Sequence, residues 1–247
     1  EISLGLVGSE MCIRDSYGLT WIDNDALYYE VKRNFDKFFA PERNKKQLPP
    51  DPFLILTQAL ITGESLNDSL GFEKTRKINK SLSNALGDMH QGILGLAPHW
   101  TTLGTAGGVL DIKTVDGYVH PVIGKPVVAE VKNRFNTIKA SDEKDVWDKI
   151  DAAARLTNSQ GYLFQIVPAD THRYDEKWEP SGRKAKNTVR RCDGATAYEI
   201  VFEYKNALHE LYEALPAIFA DIRSSDSMVS TIDRKTMELL YSSVFPA

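Results

Sequence analysis

Two carboxylates and a lysine are spaced so that neighbouring strands would bring them together. Asp111 ends the segment LGTAGGVLD, and Glu130 and Lys132 lie in the segment VVAEVKN. Both segments are predicted to be short strands, and Asp116–Gly117 between them is typical of a hairpin turn. Because side chains alternate along a strand, Glu130 and Lys132 point to the same face. With Asp111 beside them, they would form a site for a hard divalent cation.

This arrangement resembles the catalytic signature of the PD-(D/E)xK nucleases. That signature has an aspartate on one strand and an acidic residue, any residue and a lysine on the next. Leu110 stands where the signature has proline, a position that is often relaxed in such enzymes. A simpler interpretation stays open, in which Glu130 and Lys132 form an ion pair on the solvated face of an edge strand. Metal binding distinguishes the two, because a structural ion pair gives no Mg²⁺-dependent stabilisation.

The composition is that of an ordinary globular protein with one domain. The 247 residues are 42% hydrophobic and 26% charged. A chain of this size can bury enough surface to fold without disulfide bonds or a structural metal. The net charge of -4 gives no overall attraction to nucleic acid, although local basic patches coexist with an acidic total. Cys12 and Cys192 lie far apart and have no metal-ligand spacing. No apolar run reaches the roughly 18 residues that a membrane span needs.

Two other kinds of site are not indicated by the sequence. The pattern GxxxxGK[ST], whose backbone cradles phosphates, does not occur, so we expect no built-in ATP motor. His90, His99 and His120 have no zinc-binding spacing.

Residues 17–98 are predicted to be a helical part of the domain. Asp23 or Asn24 caps a helix with an apolar stripe. Phe53 to Ile61 form a second apolar helix, which Gly63 closes.

A long amphipathic helix is predicted from about Phe72 to Leu94. Its apolar side comprises Ile78, Leu82, Leu86 and Met89. Most charges on the other side form a solvated face, but Glu73 or Asp88 is a candidate to approach the metal site from this helix.

The chain after the two strands continues the pattern of an α/β core. A helix opens at Ser141 and Asp142, and Gly161 to Pro168 form a buried strand. Gln165 in that strand needs a polar partner, and it lies near the active site or is a satisfied structural residue. The order β, β, α, β matches the core of the nuclease superfamily, which is a mixed sheet with helices on both sides.

A basic loop is predicted at residues 170–195. Its side chains suit phosphate contacts and base reading, since an arginine can bind guanine with two hydrogen bonds. The alternative is a solvated, flexible loop. The candidate DNA-binding residues are Arg173, Arg183, Lys184, Lys186, Arg190 and Arg191.

The remaining chain is predicted to be a strand from Thr196 to Phe202, followed by helices over residues 205–247. These helices have a break near Pro216. Two apolar stripes, one of which includes Leu208 and the other Leu240, form either core cover or a dimer surface.

A closer resemblance is to one family of type II restriction endonucleases, those that cut GGNCC-type sites. It covers about Tyr17 to Tyr204. Its most specific parts are the segment GDMHQGIL, which begins at Gly87, and EVKN, which begins at Glu130. Other matches are WID, PPDPF, ExxRxxNK and the two glycines before Asp111.

The resemblance implies a Mg²⁺-dependent enzyme that cuts both strands of DNA. It implies that Asp111, Glu130 and the carbonyl of Val131 hold the metal and that Lys132 assists the attack of water. It further implies double-stranded DNA as substrate, a homodimer for a palindromic site, a cognate DNA methyltransferase, and a bacterial, cytoplasmic location. Auxiliary site candidates are Glu73, Asp88, Gln91, Asn133 and Gln165.

We therefore expect an α/β protein with a restriction-endonuclease-like mixed β-sheet core, flanked by helices and extended by helical N- and C-terminal additions. Residues 17–247 form one endonuclease domain, with the sheet core at residues 99–204. Residues 1–16 resemble translated sequencing-adaptor sequence and are expected to be a non-native leader. The alternatives are a repair or recombination nuclease of the same superfamily and a catalytically inactive DNA-binding module.

Overall fold

A computed structural model describes residues 17–39, 49–104, 110–223 and 233–245 of the chain. Seven α-helices lie in these ranges. They are α1 (Asn24–Phe39), α2 (Pro52–Thr62), α3 (Leu66–Leu94), α4 (Glu143–Leu156), α5 (Gly194–Phe202), α6 (Ala207–Arg223) and α7 (Arg234–Ser242). The residues of the predicted leader and of the two glycines before Asp111 lie outside the described ranges.

Six strands form one mixed sheet. They are β1 (Trp100–Thr102), β2 (Ile112–Thr114), β3 (Val127–Arg134), β4 (Gln160–Val167), β5 (Asp175–Lys177) and β6 (Val189–Asp193). The order across the sheet is β1-β2-β3-β4-β6-β5. β3, β4 and β6 are parallel, and the other neighbours are antiparallel. The predicted order β, β, α, β and the mixed sheet are confirmed.

The sheet separates two apolar clusters, as the alternation of β3 predicts. Val127, Ala129 and Val131 face the larger cluster, which α1, α3, α5 and α6 complete. Val128 faces a smaller cluster formed mainly with α4. Glu130 and Lys132 share the side of Val128 but lie further along the strand, where they are only partly covered.

Local sequence signals place most helices correctly. The side chain of Asp23 accepts a hydrogen bond from the amide of Ala26 and so caps α1. Asp51 caps α2, and Gly63 ends it in the left-handed conformation with φ of 74°. α3 begins at Leu66 rather than near Phe72, because Ser65 caps it there.

The prediction that the segment from Leu103 to Asp111 is one strand is wrong. The amide of Leu103 donates a hydrogen bond to the carbonyl of Asp111, so the two residues lie on opposite arms of the β1–β2 hairpin. Asp111 directly precedes β2, and its amide donates to Ala129 of β3. The aspartate therefore still lies beside the strand that carries Glu130.

The prediction of a strand from Thr196 to Phe202 is also wrong, because these residues belong to α5. Asp193 caps this helix by accepting hydrogen bonds from the amide and the hydroxyl of Thr196. Gly194 lets the helix start against β4, since a Cβ there would lie 2.2 Å from the carbonyl oxygen of Ile166. Tyr198, Val201 and Phe202 of this segment are buried in the helix instead of in a strand.

The predicted break near Pro216 does not occur, because α6 continues through that residue. Leu208, Leu211 and Ile218 of α6 are buried, so its apolar stripe is core cover. On α7, by contrast, Leu239 and Leu240 are exposed.

A buried histidine connects α3 to α5 and predicts an acid-sensitive fold. His90 Nδ1 lies 2.8 Å from the hydroxyl of Tyr198, and burial lowers the pKa of His90 from 6.5 to about 4. The unfolded chain therefore takes up this proton first as the pH falls. Stability is complete above about pH 6.5 and decreases by about 1.4 kcal/mol per pH unit down to about pH 4.

Urea unfolding at several pH values measures this slope. His90→Gln should flatten it, whereas His172→Gln, which replaces an exposed histidine, should not. Equal slopes in wild type and His90→Gln would contradict the assignment to His90.

Candidate active site

The structure brings the three predicted catalytic side chains together at the middle of β3. Asp111 Oδ2 accepts a 2.7 Å hydrogen bond from the amide of Val131. Lys132 Nζ lies 2.5 Å from Glu130 Oε1. The side chain of Lys132 is 27% exposed and that of Glu130 is 13% exposed. The group is therefore partly shielded from water but open on one side.

The protonation chemistry of Asp111 shows a local excess of negative charge. Burial raises the pKa of Asp111 above its ordinary value, and the charge of Glu130 raises it further. The Val131 amide and Lys132 oppose this shift, while Asp88 adds to it. A bound cation would relieve the repulsion, so the electrostatics fit a metal site.

The donor atoms at this place also fit a hard divalent cation. Asp111 and Glu130 supply carboxylate oxygens, and Val131 lies between Glu130 and Lys132 with a backbone carbonyl to offer. Oxygen ligands of this kind, completed by waters, are what Mg²⁺ prefers. The residues therefore fit the ion that the sequence implies.

The C-terminal half of α3 holds the auxiliary candidates. Gln91 Nε2 lies 3.3 Å from Asp111 Oδ1, and Asp88 is near enough for its charge to act on Asp111. Asn133 donates to the carbonyl of Ser83, so it fixes β3 to α3. Glu73 is not brought to the site. It is buried and paired with Arg76, about 22 Å along the helix from Asp88.

Gln91 is expected to act by positioning Asp111. Gln91→Ala should lower the cleavage rate by about 10- to 100-fold, the usual effect of removing a group that orients a metal ligand. A higher Mg²⁺ concentration should restore part of the rate. Asn84→Ala changes an exposed amide on the same helix and is the matched control. An unaltered metal dependence in Gln91→Ala would contradict this role.

A polar cleft of about 340 Å³ lies on the same face of the sheet as Glu130 and is lined by Leu163, Gln165 and Arg191. The register pairs Glu130 with Leu163, and Leu163 with Arg191, so all three point to the same face. Gln165 lies beside Lys132 in the same way and accepts a hydrogen bond from the hydroxyl of Tyr174. Gln165 is thus both satisfied and adjacent to the site, so the two interpretations left open by the sequence hold together.

The basic segment is more structured than the predicted loop, because residues 170–195 contain β5 and β6. Five of the six candidate DNA-binding residues pair with carboxylates in this structure, and the sixth, Lys184, is exposed. The pairs are Arg173–Glu199, Arg183–Asp148, Lys186–Asp151, Arg190–Asp175 and Arg191–Glu176. Arg191 shares the face of Glu130, whereas Arg190 points to the opposite face with Tyr162.

Some residues of this region were missed by the sequence reading. His172 and Tyr174 line the cleft beside Gln165, and Trp178 closes it. Their only local signal was the presence of aromatic rings among the basic residues. A further group of possible metal ligands, His209, Glu213 and Glu238, lies on α6 and α7 and shares no residue with the catalytic group.

A mixed β-sheet flanked by helices, with one carboxylate just before a strand and a carboxylate and a lysine on the next, is consistent with a restriction-endonuclease-like nuclease. The model of the Eco47II restriction endonuclease family matches residues 19–224. The chain belongs to this family and is a site-specific deoxyribonuclease of type II. As such it binds double-stranded DNA, uses a divalent metal ion and is part of a restriction-modification system.

Two curated relatives agree with this assignment. The type II restriction enzyme Eco47II of Escherichia coli is 28% identical over 215 residues, which cover 80% of this chain and 85% of that enzyme. The type II restriction enzyme Sau96I of Staphylococcus aureus is 26% identical over 212 residues, which cover 79% and 74%. No solved structure matches the chain. Within the described ranges, no helix has the length and apolarity to cross a membrane.

Proposed function

We propose that this enzyme hydrolyses double-stranded DNA with Mg²⁺ at a short palindromic site of the GGNCC type, leaving 5′-phosphate ends. The observation that carries the proposal is the contact of Glu130 and Lys132 beside Asp111, with the side chains of Glu130 and Lys132 partly exposed. Membership of the Eco47II family supports the site-specific part of the proposal.

In this proposal Asp111, Glu130 and the carbonyl of Val131 hold Mg²⁺. When bound, the ion supplies Lewis acidity, which lowers the pKa of water and neutralises charge on the phosphate. Lys132 orients the attacking water and donates a hydrogen bond to the phosphate oxygen on which negative charge grows. The new P–O bond would form opposite the P–O3′ bond, which breaks, and the leaving 3′ oxygen would take a proton from water, so the products carry 3′-hydroxyl and 5′-phosphate ends.

Gln91 keeps Asp111 in place by its hydrogen bond, and Asn133 holds β3 against α3. Because Asp88 raises the pKa of Asp111, its charge reaches the metal site, and it is the acidic residue of α3 that would assist there. Gln165 lies beside Lys132 and would limit its rotamers.

The basic segment is the proposed DNA-binding surface, formed by the six cations named above. The partners of Arg173, Arg183, Arg190 and Arg191 in the free protein are partly exposed carboxylates, and exposed ion pairs contribute about 0–1 kcal/mol each. Exchanging such a carboxylate for a DNA phosphate therefore costs little. The partner of Lys186, Asp151, is buried. Arg191 faces the catalytic side and is the strongest candidate to reach DNA near the scissile bond, whereas Arg190 would act from the far face.

The wider setting follows from the same proposal. Residues 17–247 would act as one endonuclease domain, paired as a homodimer so that each copy cuts one strand of the palindrome. A cognate methyltransferase would protect the host DNA, and both enzymes would work in the bacterial cytoplasm.

Defined duplexes test the proposal. A duplex with one GGNCC site should be cut on both strands in Mg²⁺, at a rate at least about 1,000-fold above that of a duplex with one outer base pair changed. Equal cutting of both duplexes would remove the proposed specificity. Cutting restricted to branched DNA would instead indicate a repair-type nuclease.

A further inference from the structure

The hairpin formed by α2 and the first half of α3 presents an apolar surface to solvent. Only Ile55 and Ala59 of the eleven residues of α2 are buried. Phe53, Leu60 and Ile61 are 80%, 76% and 79% exposed. The exposed apolar residues that extend this surface are Leu54, Leu56, Leu66, Phe72 and Ile78.

Such a surface is unusual for a free protein. A helix that is apolar all round is normally buried, and α2 is too short to span a membrane. If a large apolar residue has an accessible surface of about 200 Å², these eight residues expose on the order of 1,000 Å². A stable interface buries about 800 Å² on each partner. The area is therefore sufficient for a lasting complex.

The hairpin projects away from the core. Every residue from Lys74 to Ser81 of α3 is exposed, whereas Ala85, Met89 and Ile93 in its second half are buried in the larger cluster. The apolar surface therefore lies on a projecting arm, where a binding partner can reach it.

We propose that a second copy of this chain docks on the hairpin in a two-fold, antiparallel arrangement. The proposal rests on the proposed function in one respect. Each chain has one Asp111 centre, and cutting both strands of a duplex takes two. Phe53, Leu56 and Leu60 form one stripe on α2, and a two-fold axis near its middle places Phe53 against Leu60 of the partner subunit.

The charges on the hairpin favour the same arrangement. Glu64 and Asp68 lie at its tip, while Lys74 and Lys80 lie near its base, and all four are exposed. An antiparallel pair brings the acidic tip of each copy toward the basic base of the other. A parallel pair would place like charges together, which disfavours it.

The interface would also set the distance between the two catalytic centres. α3 carries Phe72 on the docking surface and Gln91 at the Asp111 site, about 29 Å apart along one helix. Because the helix is continuous, the geometry of the dimer is transmitted directly to the spacing of the two cuts.

Sedimentation equilibrium of the free protein tests the interface without DNA. The wild type should be a dimer at micromolar concentration, and Leu60→Glu should weaken its Kd by roughly 100-fold or more, as for a hot-spot residue. Phe53→Glu should behave alike. Leu156→Glu places the same charge at an 88% exposed leucine on α4 and should leave the Kd unchanged.

Two outcomes would overturn the proposal: a monomeric wild type, or a dimer that Leu240→Glu on α7 dissociates while Leu60→Glu does not. Circular dichroism of each variant confirms that the fold is retained, since the replaced side chains are exposed.

Supercoiled plasmid separates this proposal from the proposed function. Leu60→Glu should nick the plasmid and yield at least tenfold less linear product than the wild type, because its Asp111 centre is intact but unpaired. Linearisation at the wild-type rate by a monomeric Leu60→Glu would contradict the link to two-strand cutting. If the wild type is inactive but its dimer depends on Leu60, the interface stands and the proposed function fails.

Discussion

Lys132→Ala is expected to reduce DNA cleavage by at least about 1,000-fold while leaving specific DNA binding measurable. The reason is that, in the proposed mechanism, Lys132 stabilises charge that exists only in the transition state, and loss of one such donor costs about 100- to 1,000-fold on its own. Here the lysine also orients the water, so the two effects combine. Single-turnover cleavage of a short duplex measures the rate, and fluorescence anisotropy measures binding.

The matched control is Lys205→Ala. Lys205 is exposed and lies between α5 and α6, on the side of the sheet opposite to Lys132. Its replacement should change neither rate nor affinity. Robust cutting by Lys132→Ala would remove the lysine from the mechanism, and loss of binding in that variant would make it a DNA-contact residue instead.

Asp111→Asn is expected to abolish cleavage and at the same time to raise the melting temperature of the metal-free protein. Burial and Glu130 raise the pKa of Asp111, so folding favours its protonated form. At any pH at which the unfolded chain has this carboxylate ionised, the raised pKa lowers the stability of the folded state. The neutral amide removes that penalty and keeps an oxygen for the Val131 amide. Differential scanning calorimetry without divalent metal measures the change.

The same variant should lose the stabilisation by Mg²⁺. At 100 times its Kd, a bound ion adds about 2.7 kcal/mol to wild-type stability, which raises the melting temperature by several degrees. Asp116→Asn, a change of an exposed carboxylate beyond β2, should keep the full effect. If Asp111→Asn keeps it too, the ion binds elsewhere, and the group of His209, Glu213 and Glu238 would be the first alternative.

The catalytic core could be predicted because its signals are local. Alternation in VVAEVKN fixes which side chains of β3 share a face, and that alternation needs no knowledge of the rest of the fold. The caps at Asp23 and Asp51 likewise act within one helical turn. These features appear in the structure where the sequence placed them, although the strand before Asp111 proved to be a hairpin.

Other features depend on contacts between distant segments. The residues of α5 have strand-like propensity, but the approach of Gly194 to Ile166 and the cap from Asp193 select a helix. The contact of Gln91 with Asp111 joins residues 20 apart, and Arg183 meets Asp148 across 35 residues. No local sequence pattern predicts contacts between residues so far apart in the chain.

The exposure of α2 illustrates a third limit. Its sequence predicts an apolar helix, and the helix is there, but periodicity cannot tell which object covers an apolar face. Phe53 and Leu60 look like core residues in the sequence, yet they lie on the surface of the single chain.

The most direct test of the central claim is to digest a long, fully sequenced, unmethylated DNA with and without Mg²⁺ and to sequence the fragment ends. The account predicts discrete fragments that share one short palindrome of the GGNCC type, formed only with the metal and absent with Lys132→Ala. A metal-dependent smear without a common sequence, or the same fragments from Lys132→Ala, would contradict it.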